Sequence, residues 1–167
     1  MGWAAAQKSV IEFVAFDRGQ EADAFRKIRR ASWEGPDGGM WHVRSSKVYP
    51  GTRRHPDSDH MTDHYWYGIP RRLVQPNSNL VLLLGDSEHV VIMDLEDLGP
   101  YWQAISLAHD DTYKLHVLFE PPDLPELLLL DHSLVDLADS FVFLGSDDSH
   151  LRARHRPRQE VRRSASE

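Results

Sequence analysis

The sequence predicts an α+β domain: a mainly antiparallel central sheet of roughly five or six strands with three or four helices packed on it. Three observations carry that prediction. Two apolar runs, 80–84 and 89–93, flank the turn Gly85-Asp86-Ser87-Glu88 as the arms of a β-hairpin do. Neither run alternates strictly, so both strands are expected centrally in a sheet, covered on two faces. Apolar stripes at helical spacing recur in 20–33 and 100–108.

Residues 9–16, Ser-Val-Ile-Glu-Phe-Val-Ala-Phe, have the β-branched and aromatic content of a strand. Over 20–33, Ala24, Phe25, Ile28 and Ser32 or Trp33 form one stripe, and Arg26, Lys27, Arg29 and Arg30 point elsewhere, which predicts a helix. Glu34-Gly35-Pro36-Asp37-Gly38-Gly39 breaks it, without the spacing of a phosphate-binding loop. Residues 40–44 and 47–49 read as short strands, with Pro50-Gly51 a turn. Pro70 and Pro76 keep 68–76 out of a central strand, as a loop or short edge strand. After the hairpin, Gly99-Pro100 starts a helix with Tyr101, Trp102, Ile105 and Leu107 or Ala108 on its apolar side. Residues 112–119 alternate at Tyr113, Leu115, Val117 and Phe119, a strand. Asp123 and Glu126 have capping-box spacing for a helix from Leu124, while 127–130 suits a strand equally. Residues 140–144 read as a last strand or a helix start.

Length and composition place 1–150 in a single domain: 167 residues, 41% hydrophobic and 27% charged, are ordinary for a globular chain. The arginine-rich segment 151–167 is expected to be a disordered tail, and Arg152 to Arg163 the one place for nucleic acid to bind. Without cysteine there is no disulfide, thiolate metal site or cysteine nucleophile. Residues 1–6 lack the pattern of a signal peptide, and Glu126, Asp131, His132, Asp136 and Asp139 interrupt 124–144 too often for a membrane span. A cytoplasmic protein is expected.

Charge divides the chain at the hairpin. Residues 1–79 hold 12 Lys/Arg and 9 Asp/Glu, a net +3; residues 80–150 hold Lys114 against 15 acids, a net −14; residues 151–167 are at +4. So lopsided a block produces a negative potential that steers basic partners. The expected contact residues are Asp86, Glu88, Asp94, Glu96, Asp97, Asp110 and Asp111, with Tyr101 and Trp102 as aromatic anchors.

The segment 53–67 holds His55, Asp59, His60 and His64. On a helix, His60 and His64 would share a face, and with His55 and Asp59 or Asp63 would suit a divalent metal that activates water. The HExxH pattern is absent, because no Glu follows His60. Nucleophile-elbow, P-loop and dinucleotide fingerprints are also absent. The enzyme question stays open and leans away from catalysis. No cofactor is expected, and a metal-dependent hydrolase is the alternative to a binding protein.

The hairpin 80–94, Asp131-His132 and Ala138-Asp139-Ser140-Phe141 follow one another in an order that resembles the SUKH superfamily, many of whose members are bacterial toxin-immunity proteins. There Ala-Asp-Ser-Phe opens a terminal helix. The likeness departs at 100–120, an additional helix and strand, and at the strand-like 142–145. It implies an immunity role; independently of it, the acidic block suits an inhibitor of a basic partner such as a nuclease-type toxin.

Overall fold

The six residues of β6 (Ser78–Leu83) are buried without exception, and that strand sets the layering. The computed structural model describes residues 2–58, 60–85 and 88–144. The chain runs through α1 (Trp3–Asp17), β1 (Arg26–Arg29), β2 (Ser32–Glu34), β3 (Met40–Ser45), β4 (Tyr49–Arg54), β5 (Met61–Pro70) and then β6. After it come β7 (His89–Asp94), a 3-10 helix (Leu95–Ala104), β8 (Ser106–Leu107), β9 (Thr112–Leu118), β10 (Glu126–Leu128), β11 (Leu134–Asp136) and β12 (Phe141–Phe143). Three-residue 3-10 turns occupy Ala22–Ala24, Arg71–Leu73 and Ala138–Ser140.

The strands form two sheets, ordered β1-β2-β3-β6-β7-β12 and β11-β10-β9-β5-β4, with β8 added beside β9. Among the described residues every pairing is antiparallel except β3 with β6. Leu80, Leu82 and Leu84 point into a core shared with Tyr65, Tyr67 and Ile69 of β5 and Leu115 and Val117 of β9. Val81 and Leu83 face the other way, against Val10, Ile11 and Val14 of α1. The layers are therefore helix, sheet, sheet. A strand in the middle layer has no solvated face, which is why β6 shows no alternation. Tyr67 Oη ties the sheets together by donating to the Leu83 carbonyl at 2.6 Å.

This architecture corrects the expected fold class. There are two sheets instead of one central sheet, and one α-helix plus a ten-residue 3-10 helix instead of three or four helices. Residues 9–16 lie in α1, not a strand. The Ala4-Ala5-Ala6 stretch before them favours helix, and Ala6, Val10, Phe13 and Val14 continue it at helical spacing as buried residues. Residues 20–33 form the β1–β2 hairpin, in which Arg26 pairs with Glu34 at 2.8 Å and Ile28 is exposed. Phe25 is buried edge-on to Trp41, with ring centroids 6.4 Å apart.

Other expectations meet the chain differently. The hairpin is present, β6 and β7 pairing from Asn79↔Asp94 to Leu83↔Val90. Gly68 to Pro70 ends β5, paired with β9 on one side only, an edge position, and the chain then leaves the sheet through the Arg71–Leu73 turn. The 127–130 ambiguity resolves as β10. Residues 138–140 make a 3-10 turn that leads into β12. The tail 151–167 lies outside the described residues. Among those described, no helix is long and apolar enough to cross a membrane.

Candidate functional site: an acidic cavity beside β7

β12 covers only part of its neighbour. It pairs with His89, Val90 and Val91, so the edge of β7 away from β6 has no strand partner at Ile92, Met93 and Asp94 among the described residues. The chain crosses that gap as the end of β11 and the 138–140 turn, and a cavity of about 340 Å³ remains there. Its floor is apolar: Met93, Leu98 and Leu137 come from the core between the sheets.

Its rim is acidic. Asp94 ends β7, Asp97 lies in the first turn of the 3-10 helix, and Asp136 and Asp139 flank the crossing segment. Asp136 Oδ1 accepts a hydrogen bond from the Ala138 amide at 2.8 Å, which shapes the turn. Asp139 Oδ1 is buried and meets no hydrogen-bond donor among the described residues. Among the described residues, the single cation on the lining is Arg18, just past α1. Its guanidinium sits 4.7 Å from the Trp41 ring centre and 3.9 Å from Asp37, so its charge is shared with groups off the lining. Tyr101 completes the wall, half-buried against the core.

The structure thus brings together Asp94, Asp97 and Tyr101 of the predicted contact residues and adds Asp136, Asp139 and Arg18. Glu96 is exposed and does not line the cavity. Trp102 packs on Tyr113, with centroids 4.4 Å apart, as part of the core surface. Asp110 and Asp111 occupy the tight turn between β8 and β9, where Asp111 has φ +64° and lies 3.7 Å from Arg71. Glu88 is at the far end of β7 from Asp94, about 20 Å away at ~3.4 Å per residue. Asp86 lies outside the described residues.

Asp136 and Asp139 carried no signal of their own in the sequence, where they only interrupted an apolar stretch. They become site residues because β12 is short. That is a property of pairing, which spacing does not encode.

The histidine segment is divided. β5 begins at Met61, so His60 and His64 never share a helical face. His55 Nε2 is 2.9 Å from Glu126 Oε1, and the His55 and His60 rings stack at 5.5 Å. His60 Nδ1 is 2.5 Å from Ser58 Oγ. His64 instead stacks on His116 of β9, with Nε2 and Nδ1 2.8 Å apart. Burial, then Arg53, then His116 lower the His64 pKa to about 4, and burial lowers that of His116 as well. Two neutral rings bonded to each other have one nitrogen each withdrawn from other use. Asp59 lies outside the described residues; among those described, no three His, Asp or Glu side chains are grouped to hold a metal ion. His116 and Glu126 are 52 and 71 residues from their partners, beyond the reach of any local motif.

No protein-family model, curated protein or solved structure matches the chain.

Proposed function

We propose that this is a non-enzymatic, cytoplasmic binding protein that accepts a basic side chain of a protein partner in the cavity beside β7. The observation that carries the reading is the buried, unbonded Oδ1 of Asp139 among Asp94, Asp97 and Asp136. A buried acceptor without a donor costs about 1–3 kcal/mol, and a guanidinium or ammonium that reaches it removes the cost through a charge-assisted bond. Arg18 is engaged elsewhere and leaves that position open. The apolar floor and the Tyr101 ring suit the methylene stem of such a side chain. The net −14 of residues 80–150 draws a basic partner in, which acts on association rate and specificity more than on affinity. The order of motifs that resembles the SUKH superfamily adds the direction: an immunity protein that neutralises a basic toxin.

The test is calorimetric titration of the full chain with a hexa-arginine peptide, at low and at high salt. Asp94→Asn with Asp97→Asn is expected to weaken binding at least tenfold, about 1.4 kcal/mol. Asp110→Asn with Asp111→Asn, outside the cavity, is expected to leave it within about twofold. Equal losses in both pairs would reduce the site to general surface charge and overturn the reading. For the immunity direction, a purified toxin domain encoded beside this protein is the probe; failure of that complex to form sinks the direction and leaves the cavity result standing.

A further inference from the structure

A second set of residues, in the basic half of the chain, lacks the partners its chemistry requires. Ser32 of β2 pairs in register with His42 of β3, and Arg29 at the end of β1 stands opposite Ser32. Residues opposite one another across antiparallel strands share a face. Arg29, Ser32 and His42 therefore form a row across three strands, with Arg44 two residues beyond His42 on the same face. That face meets the core between the sheets farther along, since His42 is in register with Leu80. Here the turn after β5 supplies Arg72, which lies near enough to act electrostatically on both His42 and Arg44.

Three guanidinium groups thus lie near enough to act electrostatically on one buried histidine. None of Arg29, Arg44 and Arg72 has an ion pair with a carboxylate among the described residues. Arg44 is partly buried, and its Nε is enclosed without a hydrogen-bond acceptor among the described residues. Like charges gathered without a counter-charge repel, and an enclosed guanidinium nitrogen without an acceptor is a cost the fold has no evident reason to bear. Ser32 Oγ and His42 Nδ1 are 2.7 Å apart, in a pair that is itself buried. Burial foremost, then Arg44, Arg29 and Arg72, lower the His42 pKa to about 4, so the ring is neutral near pH 7. If the hydroxyl donates to Nδ1, the ring keeps an Nε2–H donor; if Nδ1–H donates, the hydroxyl keeps its proton. Either way one neutral donor remains available beside the arginines.

We propose that Arg29, Arg44 and Arg72, over the Ser32–His42 pair, form a binding site for a phosphate group. One arginine satisfies a carboxylate through a two-pronged contact. Three arginines with an added neutral donor fit the greater charge and the several acceptor oxygens of a phosphate. The site shares no residue with the acidic cavity and does not depend on it. Free phosphate and the phosphate of a small ester such as a mononucleotide present the same chemistry.

The experiment follows the arginine Nε–H resonances of the ¹⁵N-labelled full chain during titration with inorganic phosphate, and separately with AMP, chloride holding ionic strength constant. The Arg44 resonance is expected to shift and saturate. Arg72→Gln, an exposed position that leaves the fold intact, is expected to raise the dissociation constant about tenfold, and Lys8→Gln, on the exposed side of α1, to leave it unchanged. Tighter binding of AMP identifies a phosphate ester as the ligand; equal affinity identifies free phosphate. No saturable shift of Arg44 with either probe, or the same affinity in Arg72→Gln as in Lys8→Gln, overturns the proposal.

Discussion

Histidine 42, 3% exposed on the middle strand of the β2-β3-β6 run, shows how one ring couples this fold to pH. The unfolded chain protonates it near its ordinary pKa of 6.5, whereas the folded chain keeps it neutral down to about 4. His64 behaves in the same way, with the same window. Between those limits the unfolded state binds more protons, so the folded state loses stability as pH falls from about 6.5 to about 4 and regains it above. Each ring accounts for at most about 3 kcal/mol. The expected outcome is a urea midpoint that drops between pH 7 and pH 5 by less in His42→Asn than in the parent, with the His42 ring resonances showing no titration above pH 5. Titration of His42 near pH 6.5 in the folded protein would remove the effect. At this scale the sequence is silent, because Ser32 and His42 meet as register partners and His64 and His116 as diagonal neighbours across paired strands.

At the scale of elements, legibility followed the length of the pattern. The hairpin β6–β7 was readable because its two arms and turn are adjacent in the chain, and β9 because four apolar residues alternate without a break. α1 was misread from a window that opened at Ser9 and cut off Ala6 and Gln7, the residues that set its period. The β1–β2 hairpin reads as a helix because Ala24, Phe25, Ile28 and Ser32 or Trp33 also fall at helical spacing. What holds that hairpin is tertiary. Gln7 of α1, fully buried, donates through Nε2 to the Arg30 carbonyl at 3.1 Å and accepts from Trp33 Nε1 at 2.9 Å. Gln7→Leu leaves both groups unpaired, with an expected loss of about 2 kcal/mol by urea denaturation and faster amide exchange across Arg26–Glu34. Unchanged exchange there would mean that the Arg26–Glu34 pair holds the hairpin by itself.

For the whole molecule, the sequence reported the sign of the charge and where it changes, but not how the strands interleave. Asp94, Asp97 and Tyr101 were legible as an acidic stretch with aromatic company. Their grouping with Asp136 and Asp139 depends on how far β12 extends along β7, and the basic group around His42 depends on three strands and a distant turn. Both sites are assembled from segments far apart in the chain.

The sheet order has a consequence for how the chain is held as one piece. The link between Leu84 and His89 separates α1 and β1–β6 from β7–β12, yet each sheet draws strands from both sides of that point. The first segment lacks β9, on which β5 rests along its length, and the second lacks β6, on which β7 rests. A break in that link therefore yields two fragments that are each half of a lock, useful as a reporter of proximity when fused to two other proteins. Each fragment alone is expected to show no near-ultraviolet circular dichroism, and their mixture to recover it. An ordered first fragment on its own would show instead that the helix and its sheet close without the rest.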